Sequence, residues 1–397
     1  MRTTPVRLLG ALLLFKCLYF SALYGAVWFW PADQDAPMYP GARQEYTPDG
    51  YLTFASHLGS WDAEHYLFIA AHGYEAGAGR CAFYPLWPYL VRGFSVLLGG
   101  NQVLAGALLA NLFSLAGFLL FFKLAEKRLG ASTAVLALGL LVLFPGSLFF
   151  QFIYSESLFF FLLVLLCFSL ERNALTLAAI AGFLLPLTRA VGFISLVPIA
   201  THLLSQIPPG AWPRFLREDP FGKTLLGPGS PTPRRHLWLL LAPVLGWSSY
   251  LLLMWIWTGN AFEGFHAQKQ FGVQAMDKLL DLPQFVVELF SPTAWHDFTG
   301  SFLDRAVFAV LLACLPIIWK LSRTWFLLTL VLGIIPAVTG TFTSYTRFAS
   351  VVFPLFIAMA VFLDKPKLTW LRWPVLSGFA VVHGALLWKF VYFRWAA

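Results

Sequence analysis

Charged residues are scarce in this sequence. Asp, Glu, Lys and Arg together make up 12% of the 397 residues, whereas apolar residues make up 59%. A soluble globular domain has about a quarter of its residues charged, so the composition excludes an ordinary water-soluble fold. Long apolar stretches recur along the chain and predict one membrane-embedded body. The formal net charge of +8 does not indicate nucleic-acid binding, because the Lys and Arg residues are dispersed through short loops, where they encode membrane topology.

Cysteine is also rare, and the common nucleotide and metal motifs are missing. The four cysteines lie far apart, which excludes a disulfide framework or a cysteine-based metal site. The sequence has no Walker phosphate loop, no glycine fingerprint for dinucleotides, and no HExxH or CxxC zinc motif. Asp62 and Glu64 resemble a D-x-D metal pair, but residues two apart on a helix do not face each other. We therefore expect no cofactor and no resident metal.

The apolar stretches predict an all-α polytopic membrane protein. A crossing helix needs about 20 residues, so the sequence predicts about 11 transmembrane helices. The first run follows Arg2 and Arg7 and is longer than a signal-peptide core, so we interpret it as an uncleaved first span. The runs cover residues 8–30, 102–122, 132–150, 156–170, 174–188, 191–204, 237–257, 306–320, 325–342, 348–364 and 369–392.

One further apolar stretch, residues 83–99, decides the predicted orientation. It contains prolines and an arginine. If it lies at the membrane surface and the amino terminus is inside, most loop cations lie inside and most carboxylates outside, which is the positive-inside pattern. We therefore expect a single transmembrane domain over residues 1–397, with extracytoplasmic loop helices. The outside segments are 31–101 and 258–305, and 205–236 is an inside connector.

Five groups of polar residues stand at the outer ends of the predicted spans. Ionisable side chains at membrane depth are costly and commonly mark functional sites. The topology was derived from loop charges, and it places all five groups on one face. That arrangement predicts one shared site. The groups cover residues 61–66, 154–157, 188–189, 266–272 and 344–348.

The first group holds the candidate catalytic base. Ser60 can cap a helix that begins at Trp61, and Asp62 and His65 then share one face of that helix. Asp62 is either a first-turn carboxylate favoured by the helix dipole or a general base beside a histidine that orients it or binds substrate. Glu64, on the same helix, is a further candidate for substrate contact.

Two other groups offer candidate contacts for substrate hydroxyls. Tyr154 and Glu156 are both candidates for substrate contact. Glu156 is either a solvated loop residue or a substrate ligand, and the cost of an acid near the membrane favours the second interpretation. Gln268 and Lys269 lie in the second outside segment. They either belong to an ordinary solvated loop or bind hydroxyls and phosphate.

The two remaining groups contribute arginines. Arg189 and Arg347 are either headgroup anchors that snorkel to the interface or ligands for a phosphate, which the planar guanidinium suits well. Gly192, close behind Arg189, would allow a close approach of backbone or ligand. The sequence therefore predicts two candidate phosphate contacts, with Lys269 as a third.

These motifs, in this order, resemble the GPI mannosyltransferase II (PIG-V) family and its bacterial relatives. That family belongs to the GT-C class of membrane glycosyltransferases. The likeness runs from about residue 61 to residue 350, and the motifs WDxxH, GY, FYPLxP, FPGSLFF and YSES are specific as a set. The matching residues are Trp61, Asp62, His65, Gly73, Tyr74, Phe83, Pro85, Pro88, Pro145, Tyr154, Ser155, Glu156, Ser157, Arg189, Gly192, Gln268 and Arg347.

The resemblance implies a GT-C-like helix bundle and a polyprenyl-phosphate mannose donor. It also implies inversion at the anomeric carbon, no metal, and Asp62 as the base. Glu64 and the pair Ala190 and Val191 depart from the family pattern, and the loops are short, which favours a bacterial member. The expected acceptor is then a glycolipid, a glycan or a protein, and the expected location is the bacterial plasma membrane, with the site on its extracytoplasmic face.

The residues fit this chemistry independently of the family. Polyprenyl phosphate departs as a stable anion, so transfer needs a base for the acceptor hydroxyl and cations for the developing phosphate charge. A transporter or flippase of a lipid-linked sugar is the competing interpretation, but its charged groups are expected at mid-membrane with access from both sides. A scaffold subunit is a third. The gathering of polar groups at one face favours the enzyme.

Overall fold

The fold is helical throughout the part of the chain that can be described. The computed structural model describes residues 5–30, 54–205, 233–271, 281–338 and 342–397. Within these ranges there is no β-strand, and one isolated bridge joins Ala294 to Ser301. The predicted all-α fold class is confirmed. The expected inside connector, 205–236, lies almost entirely outside the described residues.

The described helices have the following bounds. The α-helices are α1 (Pro5–Phe29), α2 (Phe54–Leu58), α3 (Asp62–His72), α4 (Leu86–Ser95), α5 (Gln102–Leu129), α6 (Ala131–Leu143), α7 (Glu156–Glu171), α8 (Leu175–Thr188), α9 (Leu196–Ser205), α10 (Leu241–Thr258), α11 (Glu263–Gln268), α12 (Leu282–Phe290), α13 (Phe302–Leu321), α14 (Arg323–Thr329), α15 (Ile335–Val338), α16 (Tyr345–Ala349), α17 (Phe353–Leu363) and α18 (Arg372–Val391). Short 3-10 turns cover Gly79–Ala82, Val96–Leu98, Pro145–Phe150, Ala190–Ser195, Pro233–Leu240, Lys269–Phe271 and Pro366–Leu371, and a π turn covers Leu330–Ile334.

Among the described helices, five are long and apolar enough to cross a membrane. Each predicted apolar run falls on one or more helices, so the polytopic character is confirmed, while the number of about 11 crossings stays a prediction. The stretch 83–99 forms α4 and a following turn, and its placement at the membrane surface also stays a prediction. The five long helices are Val6–Phe29, Gln102–Leu129, His236–Thr258, Phe302–Leu321 and Pro366–Val391.

A buried lysine ties the first helix to the bundle. Lys16 on α1 is 6% exposed. Its ammonium group donates to Asn111 Oδ1 (2.7 Å), Ser114 Oγ (2.9 Å) and Gln151 Oε1 (2.6 Å). An ammonium group has three donors, so these contacts satisfy it fully. The network fixes α1 against α5 and against the segment that leads to α7.

Helix α7 separates two polar regions of the molecule. It has 16 residues, which at a rise of 1.5 Å per residue is about 24 Å. Glu171 at its carboxyl end pairs with Arg128 (2.8 Å) and Lys127 (3.1 Å), beside the end of α13. Glu156 at its amino end belongs to a second cluster, described below. The two ionic clusters therefore lie at opposite ends of the helix bundle.

Candidate functional site

Four charged side chains from distant parts of the sequence meet at the amino end of α7. Arg347 Nη1 lies 2.6 Å from Asp62 Oδ2, and Arg347 Nε lies 2.5 Å from Glu156 Oε1. Arg189 Nη1 lies 2.6 Å from the same Glu156 oxygen. The side-chain exposures rise from 1% at Glu156 through 7% at Arg347 and 17% at Arg189 to 32% at Asp62. Asp62 is thus the most accessible carboxylate of the cluster.

Glu156 is the buried centre of this arrangement. Helix α7 begins at Glu156, where the helix dipole favours a carboxylate. The neighbouring Ser155 hydroxyl lies 2.8 Å from the Tyr66 hydroxyl and accepts a hydrogen bond from Arg189 Nη1 (3.3 Å). The interpretation of Glu156 as a solvated loop residue is wrong, because the side chain is buried and holds two guanidinium groups.

Arg347 is enclosed by ionic and aromatic contacts. Its guanidinium lies 4.6 Å from the ring centre of Tyr154 and 5.0 Å from that of Phe149. Burial alone would lower its pKa, but the Asp62 and Glu156 carboxylates raise that pKa well above its usual value. Arg347 therefore stays charged, and a headgroup-anchor role does not fit its burial. Tyr154, itself buried, lies against this guanidinium.

Asp62 begins helix α3, and the residue before it has an unusual backbone. Trp61 has φ 61° and ψ −132°, a conformation that costs a non-glycine residue about 1–3 kcal/mol. Its indole packs edge-on against Trp395 at 5.6 Å. The expected Ser60 cap is wrong, because the Ser60 hydroxyl donates to His57 O (3.2 Å) while Trp61 holds the cap position. Ser60 contacts the first turn of α3 through its backbone carbonyl, which accepts a hydrogen bond from the Ala63 amide (3.3 Å), and not through its hydroxyl.

Arg189 follows the end of α8 at a tight turn. The 3-10 turn Ala190–Ser195 folds back on the helix, and a Cβ added at Gly192 would lie 2.0 Å from Leu185 O. The close backbone approach expected at Gly192 is therefore present. The Arg189 guanidinium lies 5.4 Å from the ring centre of Phe348, the neighbour of Arg347. The turn directs Arg189 to the same carboxylate that Arg347 contacts.

The other candidate residues lie nearby on two packed segments. The His65 ring lies 4.7 Å from that of Phe83 and 5.5 Å from that of Phe271. Phe271 closes the 3-10 turn Lys269–Phe271 that directly follows Gln268 on α11. Glu64 is buried on α3. The roles of His65, Glu64, Gln268 and Lys269 stay predictions.

The cluster brings together a candidate base and candidate anion ligands. Two carboxylates and two guanidiniums balance formally, and each guanidinium has five N–H donors, more than these contacts use. The arrangement can therefore accept a proton at Asp62 and bind an added anion at the arginines. Among the residues described, no group of three or more His, Cys, Asp or Glu side chains is arranged to hold a metal ion.

A further buried carboxylate, Asp304, lies beside this cluster and was not predicted from the sequence. Asp304 Oδ1 accepts a hydrogen bond from the amide of Thr346 at 2.6 Å, one residue before Arg347. Asp304 stands in the first turn of α13, where a carboxylate is ordinary. What sets Asp304 apart is its complete burial, which cannot be read from the sequence.

Comparisons with known proteins find similarity over part of the chain. Residues 47–209 match the sequence model of the family described as mannosyltransferase (PIG-V). The chain is 35% identical over 159 residues to GPI alpha-1,6-mannosyltransferase 2 of Cricetulus griseus and 34% identical over 159 residues to that of Rattus norvegicus. Each match covers 38% of this chain and 31% or 32% of the relative. The aligned part thus spans about one third of each relative's length.

A solved structure is also similar at low identity. It is the archaeal oligosaccharyltransferase AglB from Archaeoglobus fulgidus in complex with an inhibitory peptide and a dolichol-phosphate, with a TM-score of 0.41 and 16% identity. The similarity covers 78% of this chain and 47% of that chain. The family match is the firmer result, and it includes Asp62, Glu156 and Arg189. The resemblance found in the sequence is confirmed: residues 47–209 carry the pattern of the mannosyltransferase (PIG-V) family.

Proposed function

We propose that this chain is a membrane glycosyltransferase that moves mannose from a polyprenyl-phosphate carrier to a hydroxyl group of a glycolipid, a glycan or a protein. The observation that carries the proposal is the convergence of Asp62, Glu156, Arg189 and Arg347. Three of these four residues lie in the segment that matches the mannosyltransferase family. A carboxylate base beside two phosphate-binding cations is what this transfer requires.

The two arginines form the donor-phosphate subsite. A guanidinium binds phosphate through paired N–H donors in a fixed plane. Arg189 and Arg347 both bond to Glu156 Oε1, so a single buried carboxylate holds both side chains beside each other. Glu156 thereby orients two cations that would otherwise repel. The polyprenyl tail lies along the apolar faces of the surrounding helices.

Asp62 is the general base of a single inverting displacement. The acceptor hydroxyl oxygen forms a bond to the anomeric carbon as the bond from that carbon to the phosphate oxygen breaks. The hydroxyl proton passes to Asp62, and the polyprenyl phosphate departs as an anion held by the arginines. No general acid is needed, because the leaving group is stable without protonation. We expect that the reaction uses neither a cofactor nor a bound metal ion.

The ion pair between Arg347 and Asp62 orders the reaction. The Arg347 Nη1 donor lies 2.6 Å from Asp62 Oδ2, so the guanidinium occupies a carboxylate oxygen that the acceptor hydroxyl would otherwise approach. A donor phosphate competes for the same Arg347 N–H groups and releases Asp62. We infer that the donor binds first and that the acceptor then meets an unbound carboxylate.

The remaining candidates complete the substrate site. His65, Glu64, Gln268 and Lys269 contact sugar or acceptor hydroxyls, with Lys269 also available to phosphate. Tyr154 acts through Arg347, since its ring lies 4.6 Å from the guanidinium and is buried. The partners are the polyprenyl-phosphate sugar, a lipid or glycan acceptor, and the membrane lipids. The proposed location is the bacterial plasma membrane, with the site on the extracytoplasmic face.

A turnover assay separates the enzyme from the transporter. Purified full-length protein is incubated with labelled polyprenyl-phosphate mannose and a lipid extract, and transfer of label to a new product is measured. The proposal predicts labelled product together with free polyprenyl phosphate. Movement of unchanged donor across proteoliposomes, with no product, would support the flippase instead. The four-charge cluster at one end of α7 favours the transferase, because a transporter places such groups near mid-membrane.

A further inference from the structure

Arg347 stands on a segment that cannot hold itself in place. Helix α16 has 5 residues, and a helix this short is not stable in isolation. The segment that precedes α16 contains Phe342 (φ 57°) and Ser344 (φ 60°), whose backbones both lie in the left-handed region of φ/ψ space. Such conformations persist where neighbouring structure imposes them. The position of the Arg347 guanidinium therefore depends on what fixes the backbone of α16.

Asp304 fixes this backbone from one side. Its carboxylate is fully buried, and its Oδ1 accepts the Thr346 amide hydrogen at 2.6 Å. The bond is charge-assisted, and such bonds are about twice as strong as neutral ones. The Thr346 amide lies next to Arg347 in the chain. A shift of this amide would carry the guanidinium with it.

A polar network surrounds Asp304 at the start of α13. Ser301 Oγ accepts the Asp304 amide hydrogen at 3.2 Å and caps α13. The same hydroxyl lies 3.0 Å from His296 Nδ1, which lies 3.4 Å from Asp304 Oδ2. Lys389 Nζ donates to the His296 carbonyl at 2.6 Å. Both Asp304 and His296 have fully buried side chains, so this network is shielded from water.

Gly146 lies against the next peptide group, which joins Thr346 to Arg347. A Cβ added at Gly146 would lie 2.1 Å from Thr346 O and 3.1 Å from Arg347 Cα. The absence of a side chain at Gly146 thus lets the Pro145–Phe150 turn press against α16. Asp304 binds the Thr346 amide, and the Thr346 carbonyl is packed closely against Gly146. The backbone of Arg347 has little freedom between them.

We propose that Asp304 is a positioning residue for the donor-phosphate subsite, acting on Arg347 through the Thr346 amide. The proposal rests on the function proposed above, in which Arg347 binds the donor phosphate. Asp304 does not touch substrate. It holds the guanidinium where it can reach the phosphate while still sharing Glu156 with Arg189. A misplacement of about 1 Å at such a group costs on the order of a hundredfold in rate.

A double-mutant cycle tests this role. The variants are Asp304→Ala, Arg347→Ala and the double variant, each assayed for turnover of labelled polyprenyl-phosphate mannose and for binding of farnesyl phosphate by calorimetry. Asp304→Ala should lower turnover about 10- to 100-fold and weaken farnesyl phosphate binding. In the Arg347→Ala background the same change should add less than about threefold, because it acts through the residue already removed. Asp304→Ser replaces Asp304→Ala in the cycle if the alanine variant does not fold.

Rescue by a conservative variant gives a second readout. Asp304→Asn keeps an oxygen for the Thr346 amide, so its turnover should stay within about threefold of the wild type. Asp297→Asn, a change at an exposed carboxylate in the segment before α13, is the matched control. If the losses of Asp304→Ala and Arg347→Ala multiply, or if folded Asp304→Asn is as slow as Asp304→Ala, the positioning role is overturned. If Arg347→Ala itself is fully active, the failure belongs to the proposed donor subsite and the positioning role falls with it.

Discussion

Arg347 Nη1 lies 2.6 Å from Asp62 Oδ2, although 285 residues separate the two along the chain. The same guanidinium bonds Glu156, which also holds Arg189. The proposed base and the proposed phosphate ligands are therefore parts of one ionic cluster. Glu156 and Arg347 connect the other two residues, since each of them contacts two members of the cluster.

Arg189 offers the cleanest test of the phosphate subsite, because its side chain is the more exposed of the two arginines. Arg189→Ala should weaken farnesyl phosphate binding at least about tenfold, and Arg189→Lys should restore only part of it, since lysine lacks the planar pair of donors. Calorimetry on the detergent-solubilised protein measures both. Arg92→Ala, at an exposed arginine on α4, is the control. Unchanged binding in Arg189→Ala would show that this arginine is a headgroup anchor.

Glu156 should be important for stability as well as for activity. Removing one partner of a buried ion pair leaves uncompensated charge and costs about 3–5 kcal/mol. Glu156→Gln should therefore lower the Tm and also weaken farnesyl phosphate binding, because both arginines lose their shared anchor. Thermal unfolding and calorimetry measure the two effects. Glu75→Gln, at an exposed carboxylate, should change neither, and a Glu156→Gln protein with wild-type Tm and binding would contradict the account.

Because the His57 imidazole is buried near the start of α3, we expect the stability of the protein to depend on pH. Burial lowers the pKa of its imidazole below the usual 6.5, against a smaller opposing effect of the hydrogen bond to Val391 O. A lowered folded-state pKa means that the unfolded chain binds the proton more readily. The stabilising contribution is thus present above about pH 6.5 and is lost as the pH falls through the lowered value. On acidification the Tm of the wild type should fall more steeply than that of His57→Gln, and parallel Tm profiles would refute this.

The predicted topology can be tested with exposed positions. Ser291 lies in the expected outside segment and Lys367 in an expected inside loop, and both are exposed. In a Cys17→Ser background, Ser291→Cys should react with an impermeant thiol reagent in intact cells, and Lys367→Cys should react after permeabilisation. Labelling is read by gel shift. The reverse pattern would place the four-charge cluster on the other face of the membrane.

Part of this site was predictable from the sequence. In a chain with so few charges, Asp62, Glu156, Arg189 and Arg347 stood out because each lies next to an apolar run. Their mutual contacts did not follow, because they depend on how distant helix ends pack. The expected Ser60 cap is wrong, because Trp61, with its positive φ, stands at the N-cap of α3 and the Ser60 hydroxyl donates to His57 O instead.

The role proposed for Asp304 could not be predicted from the sequence. An acid in the first turn of a helix is ordinary in a sequence, and its importance comes from full burial and from a bond to the Thr346 amide. Neither property has a local sequence pattern. Gly146 is similar, because its close approach to Thr346 is visible in three dimensions alone.

The central claim is that Asp62 takes the proton from the acceptor hydroxyl. Asp62→Asn keeps the size of the side chain and an oxygen for Arg347, but it cannot act as a base at useful pH. Base catalysis contributes about 10²–10⁴-fold. The variant is therefore expected to fold, reach the membrane and bind farnesyl phosphate, with kcat lower by at least about a hundredfold.

The most direct measurement is therefore kcat for mannose transfer from labelled polyprenyl-phosphate mannose, compared between the wild type, Asp62→Asn and the control Glu75→Gln, alongside farnesyl phosphate binding. The account predicts a loss of at least about a hundredfold in Asp62→Asn with binding retained, and no loss in Glu75→Gln. Wild-type kcat in Asp62→Asn would contradict it. If Glu156→Gln were inactive in the same experiment while Asp62→Asn was fully active, the base would be Glu156.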